Sequence, residues 1–166
     1  MRTTAKQIAL GGIFAALAVT IMSLGGMIPV ATYVCPMLCM MLQLTVLLFC
    51  GERIAWAWYG AVAILGLLLG PDKEAAAVFV FLGYYPIIKP RLDRMKLGLV
   101  WKALLFNGAV ILMYQLLMKL FGMEELVKEF SEIGQAMVYV LLAMGNLTFF
   151  LTDKVLTLFA RKLGRR

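Results

Sequence analysis

Apolar residues in this chain come in long runs, and the breaks between runs are where Gly, Pro and charges coincide. The first run, 8–28, follows a short basic opening that carries Arg2 and Lys6. It is longer than the apolar core of a signal peptide and shows no evident small-residue cleavage site, so it predicts a retained helix. An uncharged loop, 29–33, leads to a second run at 34–51, which stops at Glu52 and Arg53. A third, 54–70, stops at Pro71, Asp72, Lys73 and Glu74. The fourth, 74–89, is short for a span and is followed by the most basic stretch of the chain, from Lys89 to Lys96. A fifth run covers 97–120. An acidic amphipathic segment at 123–133 is expected to lie at the surface, a sixth run covers 134–152, and residues 153–166 read as a basic amphipathic tail.

Composition turns those runs into membrane spans. Of 166 residues, 63% are hydrophobic and only 15% charged, far from the near-even apolar share and the quarter charged that a soluble domain carries. A bilayer core takes about 20 helical residues per crossing, so the length admits roughly six spans and no separate catalytic or nucleotide-binding domain. The expected fold is an all-α integral membrane protein, a single compact bundle of six transmembrane helices with both termini on one side.

The formal charge of +7 gains meaning when it is divided between the two sides. Thirteen Lys and Arg fall on the side of the termini and three, Lys73, Lys119 and Lys128, on the other. The two sides carry +10 and −3, so the positive-inside rule places both termini in the cytoplasm and removes the nucleic-acid reading of a basic chain. Trp56, Trp58, Tyr59, Tyr84, Tyr85 and Trp101 then fall near the inner interface, where amphipathic rings are favoured.

Several chemistries are excluded. The chain has no histidine, so His-based metal sites and Ser-His or Cys-His nucleophiles are absent, and no catalytic constellation is visible. Cys35, Cys39 and Cys50 lack CxxC spacing and read as small buried hydrophobes. No carboxylate lies deep in an expected span, which argues against proton coupling. No Gly-rich phosphate loop is present, so an energised process would need its ATPase on another chain, and no cofactor or metal is implied.

Neutral polar residues remain at membrane depth. Asn107 lies about 15 Å into the fifth span and Asn146 about 18 Å into the sixth, counted at 1.5 Å per residue, and Gln43 falls near the middle of the second. Asn107, Tyr114 and Gln115 share one face, as do Gln135, Tyr139 and Asn146. Both stripes run from the midplane outward. They line either a pocket open to the outside, suited to a small polar or aromatic molecule, or a set of interhelical hydrogen bonds that hold the bundle together. The first span carries small residues, Ala5, Ala9, Gly12 and Ala16, at helical spacing, which allows another helix to approach closely from within the bundle or from a partner. Lys73 or Lys119 could attract a substrate carboxylate, whereas Lys102, early in the fifth span, is expected to snorkel inward without a role in the site.

With its Thr-x-Lys-x-Ile-Ala-Leu opening at Thr4–Leu10, small-residue first helix, uncharged first outer loop with Pro29 and Tyr33, and six spans in under 200 residues, the chain resembles the S components of energy-coupling factor (ECF) transporters. That resemblance implies a vitamin-binding or micronutrient-binding subunit of a bacterial or archaeal cytoplasmic membrane. It also implies association with a transmembrane T component and two ATPases. Ala5 and Ala9 would contact the T component, with Gly12 and Ala16 extending that face. Tyr33, Tyr114, Gln115, Gln135 and Tyr139 would line the substrate site, with Asn107 and Asn146 at its floor. No signature of a particular vitamin is present, and the missing histidines disfavour the metal-ion branches. A competing reading is a structural envelope scaffold of the rod-shape-determining type, in which the amides are glue and the first helix is a docking face.

Overall fold

The computed structural model describes residues 5–25, 31–120 and 135–163. Among the described residues every element is helical: α1 (Ala5–Gly25), α2 (Ala31–Cys50), α3 (Glu52–Leu69), α4 (Lys73–Leu82), α5 (Tyr85–Leu92), α6 (Gly98–Leu120) and α7 (Gln135–Leu163). Five of them, α1, α2, α3, α6 and α7, are long and apolar enough to cross a membrane.

The fourth expected span is not one helix. Residues 73–92 form two short helices that meet at Gly83 and Tyr84, so neither α4 nor α5 alone reaches the length of a span. Together they still run the length of the bundle. Asp72, the N-cap of α4, accepts a hydrogen bond from Thr32 at the start of α2 (2.7 Å), whereas Arg91 near the end of α5 pairs with Glu52 at the start of α3 (2.5 Å). The first contact marks one end of α2 and the second the other, because only Gly51 separates α2 from α3. Gly51 has φ 90°, a left-handed conformation that a residue with a Cβ adopts only under strain, and it lets the chain reverse in a single residue. Among the described residues α4 and α5 together thus run alongside α2 as one broken segment.

The helix of the sixth run extends into the basic amphipathic segment read at 153–166. α7 continues without interruption from Gln135 to Leu163, so residues 153–163 extend the last long helix.

α2 is the most buried of the five long helices and separates two apolar clusters. On one side Met40 and Leu44 pack with Val78, Tyr85, Phe106 and Phe149, and the Phe106 and Phe149 rings stack at 4.6 Å. On the other, Cys39 and Val46 pack with Ala18, Met22, Trp58 and Phe79. Trp58 and Tyr85, expected in an interfacial aromatic belt, are core residues, whereas Trp56 and Trp101 are exposed as a belt requires. The pattern of aromatic residues by depth was thus only half informative, because it carries no information on which way around the helix each ring points.

Candidate functional site

The start of α4 organises one end of the bundle. Asp72 caps α4 by accepting from the backbone N–H groups of Glu74 and Ala75, both at 3.0 Å, which satisfies donors that a helix start leaves unpaired. Glu74, in the first turn, accepts from Tyr33 on α2 (2.9 Å) and Tyr114 on α6 (3.0 Å) through the same oxygen. The two phenol oxygens are themselves 3.4 Å apart. Tyr33, read in the first outer loop, and Tyr114, read on the stripe of the fifth span, are thus brought together, and Glu74, read as a loop charge, joins them. A signal for it existed in its position one residue beyond an Asp N-cap, which places its carboxylate in the first turn of a helix.

Lys73 does not stand ready for a substrate carboxylate. Its ammonium donates to the carbonyls of Leu67 (2.7 Å) and Gly70 (3.0 Å) and so closes the C-terminal end of α3. Among the described residues no cation pairs with Asp72 or Glu74.

Asn107 and Asn146 face each other across α6 and α7. Each amide donates to the other's oxygen, at 3.0 and 2.9 Å, and each also donates to the carbonyl four residues back in its own helix, Ala103 and Leu142. Gln115 is exposed. Gln135 and Tyr139 lie in the opening turns of α7, and their side chains fall outside the described residues, as do Lys119 and the acidic segment 123–133. Gln43 is 0% exposed, and neither its Nε2 nor its Oε1 has a hydrogen-bond partner.

A charged cluster joins α5, α6 and α7 inside the bundle, next to the exposed Asp93 of the turn after α5. Asp153, in the middle of α7, accepts from Lys89 of α5, from Lys102 of α6 (3.0 Å) and from the Tyr85 hydroxyl (2.5 Å). Lys89 and Lys102 are 7% and 6% exposed, and both also pair with Asp93 in the turn after α5. The neighbouring Thr152 reaches Met37 of α2 (3.6 Å), and Leu156, one turn on, is fully buried, so Asp153 sits inside the bundle. Lys102 thus reaches toward the turn after α5, to Asp93, as well as to Asp153. Asp153 stands one residue beyond the sixth apolar run, 134–152, where the same helix runs on into the basic segment.

Of the small residues on α1, Ala5, Ala9, Gly12 and Ala16 are all exposed, and a Cβ added at Gly12 would meet nothing within 4 Å. The adjacent Gly11 points the other way, where a Cβ would come within 3.3 Å of Ile54. Cys35, Cys39 and Cys50 are free thiols in the interior, and among the described residues no three His, Cys, Asp or Glu side chains stand close enough to hold a metal ion.

Comparison with family models, with curated proteins and with solved structures gives no match for this chain.

Proposed function

We propose that the chain is the substrate-capture subunit of an ECF-type micronutrient importer in a bacterial or archaeal cytoplasmic membrane. In this reading it crosses the bilayer six times, with α4 and α5 as one broken crossing and both termini in the cytoplasm. It binds a small vitamin-like molecule at the outer end and depends on a T component and two ATPases for the energy of transport. The observation that carries the reading is the convergence of Tyr33 and Tyr114 on Glu74, at the end of the bundle that the charge distribution places outside. Two phenols around a carboxylate that pairs with no cation among the described residues suit an organic cation, which gains Coulombic attraction to Glu74 and contact with the aromatic faces. The exposed small-residue face of α1 supports the partner half of the proposal, because it is free of intrachain packing where a close helix contact would form.

A second reading, a structural envelope scaffold, is favoured by one observation. Asn107 and Asn146 are spent on each other, as glue residues are.

The two separate on purification. Mass spectrometry of the detergent-solubilised chain should find a stoichiometric small molecule, a cation under the proposal, that is retained by the parent and lost from Glu74→Gln and Tyr114→Phe. Absence of any bound molecule, together with recovery of envelope-assembly proteins and no T component or ATPase, would establish the scaffold instead.

A further inference from the structure

At the basic end of the bundle, the last turn of α2, the first residue of α3 and α5 with its following turn enclose a cavity of about 350 Å³. Its walls are of two kinds. Leu47, Leu48 and Ile87 make an apolar side, and Glu52, Arg91 and Arg94 make a charged one. Glu52 is already paired with Arg91, and among the described residues Arg94 makes no ion pair. With Arg53 adjacent and exposed on the first turn of α3, the charged side carries an excess of two positive charges. The apolar side continues outward onto the exposed side chains of Leu48 and Phe49 and, on α3, onto exposed Trp56, a ring type favoured at the membrane interface.

We infer that this cavity holds the phosphate headgroup of an anionic phospholipid, with Arg91 and Arg94 on the phosphate and the acyl chains lying along Leu48 and Phe49. Guanidinium groups match phosphate oxygens in geometry as well as charge. A free phosphate has no use for the leucine wall, whereas a lipid carries its own apolar body to cover it. Basic pockets between helices at the anionic cytoplasmic leaflet recognise headgroups in this way. The inference rests on the membrane reading and its orientation and is independent of substrate capture, so a chain that binds no vitamin can still show it.

The test uses the delipidated full-length chain in detergent, followed by thermal unfolding and native mass spectrometry with added phosphatidylglycerol, phosphatidylcholine or inorganic phosphate. Phosphatidylglycerol should raise the melting temperature more than phosphatidylcholine does, and phosphate should have little effect. Arg91→Gln with Arg94→Gln should weaken phosphatidylglycerol retention by about thirtyfold, the factor that ~1 kcal/mol per basic residue gives for two of them. Its response to phosphatidylcholine should be unchanged. Arg94→Gln alone, which breaks no ion pair among the described residues, should show a smaller loss and serves if the double variant does not fold. Arg161→Gln with Lys162→Gln removes the same charge from the end of α7 and should leave retention intact. Equal effects of the two lipids, an undiminished response in the Arg91 and Arg94 variants, an equal loss in the Arg161 and Lys162 control, or stabilisation by phosphate alone would each overturn the inference.

Discussion

Lys102 and Asp153, fifty-one residues apart in sequence, meet at 3.0 Å inside the bundle, with Lys89 and the Tyr85 hydroxyl on the other oxygen of the same carboxylate. One carboxylate thus holds α5, α6 and α7 together. Two ammonium groups this deep are tolerable only while Asp153 and Asp93 neutralise them, because an unpaired charge in low dielectric is far more costly than a matched one.

Asp153→Asn should therefore destabilise the protein by about 3–5 kcal/mol, the cost of removing one partner from a buried ion pair. Thermal unfolding in detergent measures it. Adding Lys102→Met should recover part of the loss, since it removes one of the stranded cations. A loss that the second substitution does not relieve would mean that Asp153 contributes mainly through Tyr85.

The reciprocal Asn107 and Asn146 bonds predict coupled, modest energetics. In a double-mutant cycle with Asn107→Ala and Asn146→Ala, the double variant should be little worse than either single one. The coupling energy should be about 0.6 kcal/mol and no more than about 1.7, the range found for interhelical hydrogen bonds in a membrane bundle. Additive effects would show that the two amides do not depend on each other for their partners.

Gln43 is the opposite case. Its amide is fully buried with neither polar atom bonded, and it belongs to the stripe of α2 that also carries Cys39, Val46 and Cys50. An unpartnered buried polar group costs about 1–3 kcal/mol, so Gln43→Met, similar in volume and without the amide, should raise the melting temperature. A fall would mean that the amide is needed in this place.

The long helices are legible in the sequence because burial in lipid requires continuous apolar runs, and five of the six expected runs coincide with helices to within a few residues, at 8–28, 34–51, 54–70, 97–120 and, at its start, 134–152. Stops and directions are less legible. Asp153 and Lys154 end the sixth apolar run, as a charge ordinarily does, although the helix itself continues past them. The rule breaks when the charge has a partner, and here the partners sit 64 and 51 residues away, beyond the reach of any local pattern. Asn107 is legible as a polar group at membrane depth, Tyr114 as its neighbour on one helical face, and Tyr33 as a residue of the first outer loop. That Tyr33 and Tyr114 converge on Glu74, while Asn107 turns to Asn146, depends on helix rotation, which a run with polar residues on more than one side leaves undetermined.

The two charged anchors of α5 constrain how the bundle can move. Lys89 and Arg91 are two residues apart, about 200° around a helix, and reach in nearly opposite directions, Lys89 to Asp153 and Arg91 to Glu52. α5 is thereby pinned like an axle between two bearings, and turning it in either sense breaks both ion pairs at once. α4 is fixed separately at its far end by Asp72 and Thr32. α4 and α5 are thus anchored at opposite ends by different partners, with only Gly83 and Tyr84 between them.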